Sequence, residues 1–399
     1  MSTRKPCRRE PPELDVKRAA VFTAMGFTQH EIAREMLLSV QTVGRLVKAA
    51  RDQSILLPAH SPLDHGQIDD HVWDHLCDPD LIREVGRRLH PFGVDRVRLA
   101  PTDEADDEQT RLRVMRAAAL VIGKVLQGVI LAARRAPAGG GAVVGFTGGT
   151  LLRHALDHAE LPSGGATGAT LVALSGDPTV LPTESHYASA MQTSANGVVG
   201  KAASRLQLSS AAVWRFPLPD EWSPVSMPDT PSALRGLARS VPTVSAILGA
   251  SAAEDGSEPS GSEPLIERMG TIFAELQPPV ESNGSAFPEW AAGRINGHLV
   301  PRRGSKAGAL ACERRNGLAP GASPADLGRV AARARPHYYA GEGVILLASG
   351  LAAADGVLAL VTARTVNELI TDSETAGVLL RALKRPVHPE ERESARAVG

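Results

Sequence analysis

The chain has 399 residues, 43% of them hydrophobic and 22% charged, with a formal net charge of -1. That length exceeds one ordinary core and implies two or three folded units, and the composition excludes a disordered chain. Aromatics make up only 4%, so the cores must be built from Val, Leu, Ile and Ala.

Charge is unevenly placed. Residues 1–51 hold ten Lys/Arg against five Asp/Glu, an end that suits a nucleic-acid footprint and equally a solvated tail. Cys7, Cys77 and Cys312 are scattered with no CxxC, which argues against a disulfide framework or a structural zinc site and fits a reducing cytosol. "MSTRKPCRREPPELD" lacks the apolar stretch of a signal peptide. The apolar runs 117–133 and 343–361 are broken by Lys124 and Gln127, and by Glu342 and Asp355. A cytoplasmic protein that enters no membrane is expected.

In chain order, residues 1–14 read as a disordered basic arm and 15–57 as helical. In "GFTQHEIAREMLLSVQTVGRLVKAAR" (26–51), Thr28 and Glu31 have the Thr-x-x-Glu spacing of a capping box. Ile32, Ala33 and Met36 form the buried side of the helix that follows. After the turn "LLS", Ser39 is a good N-cap for a second helix. There Val43, Leu46, Val47 and Ala50 recur at i, i+3, i+4 and i+7, while Gln41, Thr42, Arg45, Lys48 and Arg51 lie on the other face.

Two helices with a tight turn, the second polar and basic outward, predict a helix-turn-helix. Gln41, Thr42 and Arg45, near the start of the second helix, are expected to read base edges. Ser39, Lys48 and Arg51 are expected to hold phosphates, with Thr28 and Gln29 also at the DNA. Gly44 in mid-helix is costly; a close approach to DNA or to the preceding helix would explain it.

Residues 58–90 read as a linker and short helix. His71 and His75 lie there with Asp70, Asp74, His65 and Cys77, a set read as a solvated acidic face rather than a metal site. From about 91 the pattern changes to short apolar runs alternating with amphipathic stretches, the signature of a mainly parallel α/β sheet. Strands are predicted at 95–100, 141–146, 170–176, 212–218, 243–249, 343–349 and 367–371. Helices are predicted at 111–135, 150–159, 194–206 and 375–383. The Ser/Glu/Pro/Gly-rich segment 251–264 reads as a flexible insertion, and 386–399 as a tail.

"AVVGFTGGTLLRHAL" (142–156) is a strand, a Gly-rich turn and a helix. The N–H groups of Gly148, Gly149 and Thr150 would favour an anion at the helix N-terminus, though a plain βα turn gives the same pattern. It is neither a Walker A loop nor a dinucleotide fingerprint. "LSGD" (174–177) and "LITDSE" (369–374) add polar groups at strand ends, where parallel sheets bind ligands. Asp372, with Thr371 and Glu374, also stands where N-caps stand. There is no Gly-x-Ser-x-Gly elbow and no Cys/His pairing for nucleophilic catalysis.

Jointly, three stretches resemble the SorC-type sugar-binding transcriptional regulators: residues 26–51, "VGFTGGTLL", and "GVILLASGLAAADGVLALVTARTVNELITDSETAGVLL", above all its "VNELITDSETA". The resemblance runs from about residue 15 to 385. It implies a helix-turn-helix joined to a larger α/β effector domain of the sugar-phosphate isomerase and CoA-transferase type. It also implies two partners, double-stranded operator DNA and a small carbohydrate or sugar-phosphate effector. It implies a homodimer or homotetramer, no cofactor and no catalysis.

By the same resemblance Gly145, Thr147, Gly148, Gly149 and Thr150 would hold a phosphate, Asn196 and Asp372 would approach sugar hydroxyls, and Ser175 would line the effector site. Two departures stand out: Leu351-Ala352-Ala353-Ala354 where the family commonly has a Lys, and Arg294 near its acidic turn. Arg294 is then either a substitute phosphate clamp or an exposed Arg. An isomerase-like enzyme with a DNA-binding appendage is the alternative from another class.

Overall fold

The computed structural model describes residues 12–57, 68, 70–102, 107–135, 142–161, 169–175, 193–208, 213–214, 269–277, 291–295, 298–303, 308, 310, 322–337 and 342–384. The predicted strand 243–249, the insertion 251–264 and the tail 386–399 lie outside these. The chain divides into two units, Met1–Asp80 and Leu81–Gly399, with the division inside the stretch expected as a linker.

The first unit is built on α1 (Glu13–Ala24), α2 (Gln29–Glu35) and α3 (Val40–Asp52), followed by the single turn α4 (Asp70–Trp73). Helix α1 ends at Gly26, whose φ of 81° lets the Phe27 amide reach back to the Phe22 carbonyl at 3.0 Å, a left-handed cap that glycine adopts without strain. The Phe22 and Phe27 rings then meet with centroids 5.1 Å apart.

Thr28 caps α2 through the reciprocal box expected: its hydroxyl accepts from the Glu31 amide, and Glu31 accepts from the Thr28 amide at 2.7 Å. Ile32, Ala33 and Met36 are buried, as are Val43, Leu46, Val47 and Ala50 on α3. The 3.6-residue period therefore closes a small core between the three helices.

In the second unit, after α5 (Pro79–Leu89), the sheet is formed by β1 (Arg96–Ala100), β2 (Ala142–Phe146), β3 (Ala169–Ala173), β4 (Val213–Trp214), β5 (Met269–Gln277), β6 (Ala291–Ile295), β7 (His298–Pro301), β8 (Gly343–Leu347) and β9 (Glu368–Asp372). Seven strands run parallel in the order β1-β9-β8-β5-β2-β3-β4, and β6 and β7 form an antiparallel hairpin on β5. Burial on both faces explains why β8 and β9 are buried along their whole length.

The helices around the sheet are α6 (Asp107–Arg135), α7 (Thr150–His158), α8 (Ala195–Leu206), α9 (Pro324–Ala334), α10 (Ala354–Thr362) and α11 (Ser373–Lys384). By length and composition α6 could cross a membrane. It packs instead on β1, β9 and α7 with Val114, Ala118, Val121, Ile122 and Leu126 buried.

The α/β class and most of the predicted elements appear in the structure. The chief omission is β5, which lies at the centre of the sheet. Gly270, Thr271 and Glu275 interrupt its apolar pattern, so its strand character comes from pairing with β2 and β8 rather than from local preference. It also sets the switch point of the sheet: the chain leaves β2 toward β3 and β4, then returns on the other side through β5. Ligands of open α/β sheets bind beyond the carboxyl ends of strands at such a reversal.

Candidate functional site

The outward face of α3 follows from its capping and its buried face. Ser39 accepts from the Thr42 amide at 3.2 Å, which satisfies an otherwise open N–H at the helix start. The Ser39 and Thr42 hydroxyls are 2.9 Å apart, and Arg45 donates to the Thr42 hydroxyl at 3.2 Å. Thr42 is half-buried, whereas Thr28, Gln29, Ser39, Gln41, Arg45, Lys48 and Arg51 are all exposed.

Thr28 and Ser39 are thereby engaged as caps, and among the described residues no hydrogen bond or ion pair holds the side chains of Gln41, Lys48 and Arg51 on α3. Gly44 faces α2: a Cβ there would meet Gln29 Oε1 at 3.4 Å, an ordinary contact. In the turn, Leu37 has φ 53° and is 92% exposed, a bare apolar side chain in the conformation usually reserved for glycine.

In the second unit the turn after β2 is assembled from three directions. The Thr147 amide donates to the Phe273 carbonyl at 3.0 Å, and its buried hydroxyl accepts from the Glu275 amide at 2.9 Å and donates to the Gly148 carbonyl at 3.1 Å. Gly148 presses on the start of α8, where a Cβ would lie 2.8 Å from the Thr193 carbonyl oxygen. The Gly149 amide donates to that same carbonyl at 2.7 Å. Gly145 lies within β2, packed against Leu174 and Ile272 at a spacing that leaves little room for a side chain.

The feature that sequence reasoning missed is Glu275. Its side chain reaches the N-terminus of α7, where the Leu152 amide donates to Oε2 at 2.6 Å and the nearby amides of Leu151 and Thr150 also favour the charged form of the carboxyl. The residue is 4% exposed. Burial pushes its carboxyl up to about 7, while those amides and the charge of Arg111 pull the other way. Gly149, at φ 154°, admits this contact, since a Cβ there would fall 2.1 Å from Oε2. A carboxylate inside an otherwise apolar run, "MGTIFAELQ", was the sign in the sequence.

Of the amides expected to face a phosphate, that of Gly149 thus already has a partner within the chain, the Thr193 carbonyl. Asn196 is half-buried in the first turn of α8 beside the same turn. Ser175, buried, follows β3.

Asp372 stands elsewhere. It ends β9, three strands from β2 and so about 14 Å away at ordinary strand spacing. Oδ1 accepts from the Thr375 amide at 2.7 Å, and Oδ2 accepts from the Thr375 hydroxyl at 2.9 Å and the Gly350 amide at 2.9 Å. The capping role open in the sequence is therefore the one its geometry displays. Next to it the Ser349 hydroxyl, 7% exposed, has no hydrogen-bond partner among the described residues.

Of the two departures, Arg294 is exposed and donates twice to Gln277 Oε1, at 3.0 and 2.8 Å. Ala353 is buried at the start of α10. In the first unit, His75 Nδ1 lies 2.9 Å from the His71 carbonyl oxygen. No cluster of three or more metal-ligating side chains occurs among the described residues.

No family model and no curated protein matches the chain. Solved structures similar to it include the full-length sorbitol operon regulator SorC from Klebsiella pneumoniae, at 19% identity and a TM-score of 0.45, covering 92% of this chain and 98% of that one. A domain of a possible sugar-binding transcriptional regulator from Arthrobacter aurescens TC1 matches at 19% identity and a TM-score of 0.46, covering 76% and 97%. A DeoR family transcriptional regulator from Listeria monocytogenes matches at 13% identity and a TM-score of 0.48, covering 75% and 98%.

Proposed function

We propose that the chain is a SorC-type transcriptional regulator whose affinity for operator DNA is set by a small carbohydrate bound at the carboxyl edge of its parallel sheet. The observation that carries the reading is the outward row Gln41, Arg45, Lys48 and Arg51 on a helix whose opposite face is buried and whose start is capped. Amide, guanidinium and ammonium groups at that spacing match base edges and phosphates in a major groove. One such helix gives little affinity, so a homodimer or homotetramer on a palindromic site, in the cytoplasm, belongs to the same proposal. Control by the effector requires that it bind one quaternary arrangement better than another.

The enzyme alternative draws on Glu275, whose raised pKa is in the range of a general base. Its carboxylate is buried and held by backbone amides, which leaves it poorly placed to take a proton from a substrate. The test is selection of duplexes from a random pool by the full chain, followed by binding curves with and without free sugars, polyols and their phosphates. A selected palindrome whose affinity changes with one of these compounds supports the proposal. Absence of any enriched sequence, or turnover of the compound, overturns it.

A further inference from the structure

The Gly-rich turn and the start of α7 have the chemistry that would hold an anion, yet the space in front of those amides is taken. We infer that Glu275 is a built-in occupant of this anion seat, so that the effector pocket accepts an uncharged sugar or polyol and not its phosphate ester. The inference rests on the regulator reading above and names the class of its effector.

Four observations converge on it. The Leu152 amide is bonded to Glu275 Oε2 at 2.6 Å, and the nearby Leu151 and Thr150 amides also favour the charged form of that carboxyl. The Gly149 amide is turned away, onto the Thr193 carbonyl at 2.7 Å. The Thr147 hydroxyl is engaged by the Glu275 amide and the Gly148 carbonyl. Glu275 and Gly149 also interlock sterically, because any Cβ on Gly149 would overlap Oε2.

A phosphate entering here would have to expel a buried carboxyl and carry a second negative charge against it, at a cost that like charges in a site of low polarity make large. Protonation of Glu275 would remove the charge but not the atoms. The buried Ser349 hydroxyl without a partner among the described residues, at the carboxyl end of β8, is a neutral donor and acceptor of the kind a polyol hydroxyl pairs with.

The experiment is a thermal-unfolding titration of the full chain with inorganic phosphate, against sodium chloride at matched ionic strength. A ligand that binds only the folded state raises Tm with concentration. Wild type is expected to respond to phosphate no more than to chloride, and Glu275→Ala, which empties the seat, to show a phosphate-specific rise. A phosphate-specific rise in wild type, or the same response in both proteins, overturns the inference.

Should Glu275→Ala fail to fold, wild type alone decides through pairs of free sugars or polyols and their monophosphates. Equal or tighter binding of the free compound supports the inference, and tenfold or tighter binding of the ester overturns it. If no compound moves the operator-binding curve, the regulator reading fails on its own account, because the phosphate titration reads the seat directly.

Discussion

Arg98 on β1 donates through Nε to Oε1 of Glu368 on β9, with the arginine 3% exposed and the glutamate fully buried. The two residues are 270 positions apart, and their ion pair joins the strand at one edge of the sheet to its neighbour. Removing one member of a buried pair leaves the other charge without compensation, at about 3–5 kcal/mol. Glu368→Leu alone is expected to lower stability by that order in chemical denaturation. Arg98→Met combined with Glu368→Leu should recover most of the loss, since two well-packed apolar side chains need no desolvation of charge.

On the proposed regulator reading, the α3 face would divide its DNA contacts into those that specify and those that position. Gln41→Ala and Arg45→Ala should each weaken binding to a selected operator by about 1–3 kcal/mol and relax its sequence preference. Arg51→Ala should weaken binding to all sequences alike and reduce the salt slope by about one counterion. Fluorescence anisotropy across a salt series distinguishes the two patterns. Unchanged operator affinity in the Gln41→Ala/Arg45→Ala double variant would remove both residues from the reading face.

Gly44→Ala should stabilise the first unit. Alanine favours a helix interior by about 0.8–1.0 kcal/mol over glycine, and the added methyl meets only Gln29 Oε1, at an ordinary 3.4 Å. A higher Tm with operator affinity retained is expected. A loss of affinity with Tm raised would show that DNA, and not α2, needs the space beside Gly44.

Glu275 gives stability a pH dependence with a definite sign. Its carboxyl is raised by burial to about 7 in the folded chain, from an ordinary glutamate value of about 4.3 in the unfolded one. Below both values the group is protonated in each state and has no effect. As pH rises between them the unfolded chain ionises first, so stability falls, by something on the order of 3 kcal/mol, and levels off above about 7. Glu275→Gln cannot ionise and should lack this component when unfolding is followed from pH 4 to 8.

How much of this was legible in the sequence varies with the distance over which the information is spread. The caps at Thr28 and Ser39 and the buried face of α3 are each contained in four to eleven residues, and all appear as expected. Asp372 as a cap was half-visible, because the Thr375 that completes it lies only three residues on. The filling of the α7 amides by Glu275 was not visible. The turn and the carboxylate are 123 positions apart, and β5 carries no clean strand period by which to place them side by side.

The strand order also has a consequence for how the protein is made. Helices α1, α2 and α3 of the first unit are neighbours in sequence, so the contacts among them can form as soon as residue 57 has left the ribosome. In the second unit β1 pairs with β9, and synthesis runs through some 270 further residues before that partner exists. Until then β1 has no strand to pair with, and the part of α6 that packs on β9 is uncovered. Late, non-local strand pairing of this kind slows folding and exposes aggregation-prone surface. The emerging chain therefore carries a three-helix core ahead of an open sheet, and its vulnerable interval ends only when "NELITD" is released.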